Sequence, residues 1–407
     1  MNPHKLYTKS LAFFALLWLI APLEVVIDFS PEALIIFFAL CASLYYGVKI
    51  KGTRLKLALP EDRVSSGSMR VPEKTRTLFH ILLALAIFGL CLRAIDKILI
   101  RDIISFATAV ERRDSDTEAS ILGVLSAPLY SLLLLLPVFA KPLNFGLIKT
   151  TAIFALGLVP AIEVLYLGSR GLAITTFIMF LLYVWFNYRL SLTKKLGAVI
   201  ALWILGSIFL EIFLARVDSY GFSATYSAFN SGYAFTLVPN EWLARLAEAG
   251  EWDSQIFIAV MNFSQYYLHG VLEFFYLYDN FDLGSLQYGA YTFSLLGKLF
   301  GYTVDSYLTP RFGVYTTLFG PLWVDFGYLT FFIVFLIGYY TSYCFKLAIK
   351  GDILYIPLCG YFAAVVLFAP VVNLIQSALG MYVLSACYIS LIVRGAISQL
   401  MAPPLKG

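Results

Sequence analysis

Charge is what this 407-residue chain has least of. Asp, Glu, Lys and Arg make up 13% of it, against 60% hydrophobic residues. Soluble domains carry about a quarter charged residues, so this balance excludes the soluble multi-domain enzyme that the length alone would suggest. Histidine is scarcer still, with three residues, and the five cysteines (Cys41, Cys91, Cys344, Cys359, Cys387) lie singly in apolar runs. No CxxC or Cys/His cluster is formed, so neither a disulfide nor a zinc site is expected. No GxxxxGK[ST] and no strand-borne GxGxxG occurs, which argues against direct use of ATP or a nucleotide sugar from the cytosol. Internal repeats and long low-complexity tracts are also lacking; only 60–72 (PEDRVSSGSMRVP) has linker chemistry. Collagen, disordered tails and secreted disulfide scaffolds are excluded.

What is present in quantity is apolar length. The mean hydropathy is +0.82, built from runs near the length a helix needs to cross about 30 Å of hydrocarbon. Such runs lie at 11–27, 33–48, 77–95, 120–139, 147–167, 172–188, 196–214, 322–345, 353–370 and 374–393. Lys5 and Lys9 precede the first run as in a signal peptide, but no small-residue cleavage site follows, so a retained span is expected. With both termini cytoplasmic, the inside segments 1–10, 49–76, 141–149, 189–195, 346–352 and 394–407 hold 19 of the 29 Lys and Arg residues. The longer outside stretches hold nine, and Arg93 lies in the third run. This is the positive-inside distribution.

The expected fold class is therefore an all-α polytopic membrane protein of about ten transmembrane helices, with a large extracytoplasmic loop. Two further apolar stretches, 256–278 and 286–304, raise the count to twelve if they cross as a hairpin. In that case Asp279 to Asp282 would face the cytoplasm with two acids and no base, against the rule. The organisation reads as a first bundle over 1–214, an extracytoplasmic, partly membrane-dipping region over 215–320, and three last helices over 321–407. The basic loop 49–76 fits a topology determinant or contact with anionic headgroups.

Ion channels and pumps place several carboxylates or amides inside their helices. Here only Arg93, Glu163 and Glu211 lie deep in the runs, with Glu24 nearer an end. The polar chemistry is concentrated outside. Gly168-Ser169-Arg170-Gly171 falls between the fifth and sixth runs. Glycines there would let the backbone approach a ligand, the next helix offers free N–H groups, and Arg170 offers a planar fork for phosphate. The same tetrapeptide also serves as a tight turn with a snorkelling Arg. Arg216, Arg245, Lys298 and Arg311 are the cations of 215–320, among nine acids. Arg216 and Arg311 suit phosphate, or pairing with Asp218, Glu241 or Asp305.

Between 256 and 320, 18 of 65 residues are Phe or Tyr, while aromatics are 17% of the whole chain. Stacking on sugars and an interfacial belt both account for such enrichment. His269 is the sole histidine of this region, and Glu273 follows four residues later, on one helical face if 256–278 is a helix. A neutral imidazole oriented by a carboxylate could take a proton from a sugar hydroxyl; a structural hydrogen bond is the plainer role. Asp325, in Pro321-Leu-Trp-Val-Asp325-Phe-Gly327, is the second candidate base, with capping or pairing to Arg311 as its alternative.

Together, the GSRG turn, Tyr288-Gly289-Ala-Tyr-Thr-Phe293, and Tyr315-Thr316-Thr317 followed by Pro321 and Asp325-Phe326-Gly327 resemble the oligosaccharide repeat-unit polymerases, the Wzy-type O-antigen polymerases of bacterial envelopes. The likeness covers mainly 168–340. It implies an architecture similar to the membrane-embedded, C-type lipid-dependent glycosyltransferases. The implied activity is transfer of a growing glycan from undecaprenyl pyrophosphate to a new lipid-linked repeat unit at the periplasmic face of the inner membrane, without metal or cofactor. His269, Asp325 and Glu273 would then be catalytic. Arg170, Arg216, Arg311, Ser169 and Gly171 would hold pyrophosphate, and Tyr266, Tyr267, Tyr288, Tyr291, Tyr315 and Arg245 the glycans. Implied partners are lipid-linked repeat units, membrane lipid, a chain-length regulator and a flippase; nucleic acid is not among them. An O-antigen ligase and a non-enzymatic transporter of lipid-linked oligosaccharide are the alternatives.

Overall fold

A computed structural model of the chain describes residues 3–52, 73–106, 120–167, 171–187, 232–248, 252–294, 304–376 and 378–400, with single positions between 196 and 230. It is 78% helical. In chain order the elements are α1 (Pro3–Ile20), β1 (Leu23–Val25), α2 (Pro31–Gly52), α3 (Glu73–Ala94), α4 (Ile121–Tyr130), α5 (Leu147–Tyr166), α6 (Gly171–Asn187), β2 (Leu237–Pro239), α7 (Glu241–Glu248), α8 (Trp252–Asn280), α9 (Phe319–Phe326), α10 (Thr330–Ile349), α11 (Tyr355–Leu367) and α12 (Ala378–Leu400). Among the described residues, six helical stretches are long and apolar enough to cross a membrane: Pro31–Ile50, Glu73–Ile100, Ile121–Phe139, Leu147–Tyr166, Phe319–Ile349 and Gly380–Leu400. Two shorter apolar helices, Leu172–Asn187 and Tyr355–Leu367, accompany them. Large apolar side chains stand exposed along these helices, including Leu99, Ile148 and Ile392, as suits surfaces that meet lipid. The protein is thus a mostly helical, membrane-embedded chain.

Several boundaries differ from the hydropathy reading. The first helix covers 3–20 rather than 11–27, because Pro22 ends it and residues 23–25 leave as a strand. That strand pairs antiparallel with β2 in the register Leu23↔Pro239, Glu24↔Val238, Val25↔Leu237. The 322–345 run is interrupted at Gly327, whose φ is +52°. Of the possible hairpin, 256–278 falls within the 29-residue helix α8, whereas 288–293 forms turns and 295–303 lies outside the described residues. The run at 196–214 lies largely outside the described residues.

In space the chain divides into two units, each assembled from three separate stretches. The first comprises 1–55, 198–343 and 363–378; the second, 56–197, 344–362 and 379–407.

Within the first unit α2 and α10 run parallel at backbone contact. Ser43 Oγ donates to Phe331 O at 2.7 Å. A Cβ on Gly47 would stand 2.2 Å from Phe335 O, and one on Gly338 would stand 2.6 Å from Leu44 O. Small residues permit this approach, which lipid alone does not drive. The N-terminus of α2 is capped by Ser30, whose Oγ accepts from Ala33 N at 3.1 Å, with Pro31 as the first helical residue.

Within the second unit α3 lies antiparallel to α4, with Gly89 against the Tyr130 backbone and Phe79 beside Phe139 at 5.6 Å. Ser120 caps α4 by accepting from Gly123 N at 2.8 Å. Pro128 and Pro137 remove amide donors, and the span tightens into a 3₁₀ segment, Ser131–Phe139, every residue of which is buried. Of this span 67% is buried, against 28% for both Glu73–Ile100 and Leu147–Tyr166, which makes it the more interior of these three candidate spans.

Candidate functional site

The sequence-derived candidates that gather in the first unit do so around α8. This helix approaches the 371 backbone closely, since a Cβ on Gly270 would sit 2.6 Å from Val371 O. Next to that glycine, His269 is fully buried. Its Nδ1 lies 3.3 Å from Gln265 O, and its ring lies 4.1 Å from the Tyr233 ring and 5.8 Å from Tyr266. Burial holds the imidazole pKa down to about 4, so the ring is neutral near pH 7. The backbones of Tyr266 and Tyr315 also approach the ring, and with Nδ1 facing the Gln265 carbonyl the hydrogen-bond pattern assigns the proton to Nδ1. Nε2 has no hydrogen-bond partner among the described residues.

One turn further along, Glu273 does not orient His269 as the i,i+4 spacing suggested. It holds Arg311 in a fork, with Nε to Oε2 at 2.8 Å and an Nη to Oε1 at 2.9 Å. The guanidinium also donates to Gly232 O at 2.7 Å and sits 3.8 Å from the Phe235 ring. Burial pushes the Glu273 carboxyl up, and Arg311 opposes it. The sequence suits Arg311 to phosphate or to pairing with Asp218, Glu241, Asp305 or Asp325. The buried carboxylate of Glu273 takes it instead, because a buried charge demands its partner more strongly than a solvated one does.

Asp325 is fully buried, and both of its oxygens are occupied. Oδ1 accepts from Tyr291 N at 2.9 Å and Oδ2 from Thr292 N at 2.6 Å, while its carbonyl accepts from Tyr288 N at 3.1 Å. Its place answers to the capping role, pinning the 288–294 turn, and not to that of a free base. The motif residues 288–293 and 325 are thereby brought together, although 32 positions separate Asp325 from Phe293 in the chain.

Tyr266 and Tyr315 meet edge to face at 5.9 Å, and Tyr233 joins Tyr266 at 5.6 Å, so these tyrosines and His269 form one cluster. Tyr267 packs near Phe368 at 6.2 Å. Tyr291 is buried against Phe312 at 5.5 Å, whereas Tyr288 is 74% exposed with φ +48°. Arg245 lies on the surface of α7, paired with Glu241 at 3.1 Å. Gly171 opens α6; Ser169, Arg170 and Arg216 lie outside the described residues. Tyr233, Phe235 and Gln265 were not singled out in the sequence. Tyr233 and Phe235 lie more than thirty residues upstream of His269, and no spacing rule connects them.

The second unit has a polar centre of its own, where α3 ends and α5 ends. Arg93 Nε donates to Glu163 Oε1 at 3.1 Å, and Lys97 pairs with the same oxygen. Arg101 pairs with Asp96, which also accepts from the Ser120 hydroxyl. The π-helical turn Ile95–Ile100 sets these side chains in register. Among the described residues no disulfide joins the cysteines. Among the described residues no group of three His, Cys, Asp or Glu side chains could hold a metal ion. Comparison of the chain with protein-family models, with curated proteins and with solved structures gives no match.

Proposed function

We propose that the protein is a surface-polysaccharide polymerase of the bacterial inner membrane, acting on lipid-linked repeat units at the periplasmic face. The observation that carries this reading is the buried, unpartnered Nε2 of His269 within a tyrosine cluster. A neutral imidazole whose Nδ1–H is held by a carbonyl offers Nε2 as an acceptor for one hydroxyl proton. The acceptor sugar's hydroxyl donates there, its oxygen bonds to the anomeric carbon of the donor glycan, and the bond from that carbon to pyrophosphate breaks. The proton passes to Nε2 and the electron pair leaves with undecaprenyl pyrophosphate. Arg170 and Arg216 neutralise the departing charge. Arg311, committed to Glu273, acts as a positioning residue for the 232–235 and 311–315 segments. The exposed Tyr315 and Tyr288 and the half-buried Tyr266 offer ring faces to sugars. A chain-length regulator and a flippase would work alongside it.

The transporter alternative draws on a specific observation, the Arg93–Glu163–Lys97 ion cluster at the ends of two spans, since ionised groups at membrane depth often mark a translocation path. One experiment separates the readings. Purified protein given only undecaprenyl-pyrophosphate-linked repeat units is expected to convert them into a ladder of longer chains, and His269→Ala to abolish the ladder while the protein remains folded. Product only on addition of lipid A core would establish a ligase. Intact elongation in the variant would remove His269 from the chemistry, and translocation without elongation would identify a transporter.

A further inference from the structure

Where α8 ends and α2 begins, the first unit opens into a cavity of about 320 Å³ lined by Ser30, Glu32, Tyr278, Asp279, Phe281 and Trp323. That volume falls at the lower end of the range for small-molecule sites. Its walls combine two features. One is aromatic: Tyr278 and Trp323 lie 5.2 Å apart, and Trp323 meets the exposed Tyr328 at 5.2 Å. The other is negative charge. Asp279 accepts from Ser30 N at 2.8 Å and from the Ser30 hydroxyl, which fixes the carboxylate at the cavity, and Glu32 stands exposed in the first turn of α2. Neither carboxylate has a cationic partner among the described residues, where Arg245, Arg311 and Arg394 are each matched to an acid elsewhere. The C-terminal carbonyls of α8 add to the negative potential.

The complement of two unmatched carboxylates beside aromatic rings is a cation that also gains from a ring face. We infer that this cavity binds the ammonium group of a ligand, through ion pairing to Glu32 and Asp279 and cation–π contact with Tyr278, which Trp323, itself buried, backs. A phosphate would be repelled. A neutral sugar could donate its hydroxyls to the carboxylates but would leave both charges unmatched. Glu32 stands at the start of the candidate span Pro31–Ile50, and Trp323 near the start of Phe319–Ile349, so the cavity lies at headgroup level. An ammonium reaches that level in two forms: on an amino sugar, or as the headgroup of an ethanolamine phospholipid. The inference stands on the chemistry of the cavity and is independent of the polymerase reading.

The test uses the full-length protein purified in detergent. In one arm thermal unfolding is followed against glucosamine and, as its uncharged counterpart, N-acetylglucosamine. In the other, native mass spectrometry compares retention of phosphatidylethanolamine with that of phosphatidylglycerol. The expected result is preference for the ammonium ligand in at least one arm, weakened about tenfold by Glu32→Gln and reduced by high salt. The responding arm identifies the source. Tyr278→Leu provides a second variant, expected to weaken binding through loss of the ring. Equal response to charged and uncharged probes in both arms, or unchanged preference in Glu32→Gln, would overturn the inference whether or not the protein elongates glycans.

Discussion

Arg311 shows how much a single residue is asked to do. Its φ of +50° is a conformation that non-glycine residues seldom adopt, and its guanidinium joins Glu273, Gly232 O and the face of Phe235. Removing it leaves Glu273 buried without a counter-charge. Arg311→Ala is therefore expected to destabilise the protein by about 3–5 kcal/mol, read from denaturant or thermal unfolding in detergent. Arg311→Lys should recover only part of this, because Lys cannot form the fork. A loss no larger than that of an exposed pair such as Arg245–Glu241 would show that the fork is not the constraint. His269 makes a pH prediction. Its pKa is about 4 when folded and 6.5 in the unfolded reference, so the unfolded chain takes up the proton first. Stability is then unaffected by this group above about pH 6.5, and falls as pH drops from there to about 4, by on the order of 3 kcal/mol in all. His269→Gln should flatten that limb of the stability profile; an unchanged limb would assign it to other groups.

At the scale of elements, the α2–α10 contact depends on missing side chains. Gly338→Val would place a Cβ 2.6 Å from Leu44 O and 2.8 Å from Val48 N, atoms of backbone that cannot swing aside. The expected cost is about 1–3 kcal/mol or more, with lower melting temperature and yield. Gly395→Ala, inside α12 at a position with nothing within 4 Å, is the control and should lower neither, since Ala is the better helix former. The sequence shows Gly338 inside an apolar run and nothing else, because helix–helix contact depends on which helix lies opposite. In the span 121–139, by contrast, the departure from α-helix is local in cause: Pro128 and Pro137 lack amide donors, and a 3₁₀ segment takes the place of α-helix.

For the whole molecule, the orientation expected from the basic loops has a direct test. A cysteine placed at Ser115 or Ser254 should react with an impermeant thiol reagent applied to intact cells. Labelling only after lysis would reverse the expected orientation and with it the periplasmic placement that we propose for the site. What the sequence by itself determined is the environment and the approximate helices, because a composition of 60% apolar residues in runs of spanning length leaves the chain one stable medium, and hydropathy is local. It also brought His269, Glu273, Arg311 and the tyrosines into view as residue types. Only the tertiary structure decided their partners: Glu273 to Arg311 and not to His269, Asp325 to the 291–292 amides, Tyr233 beside the imidazole, and residues 23–25 to a strand 212 positions on. These pairings join segments far apart in the chain. They are settled by which buried charge or amide is left without water, a competition that no local pattern records.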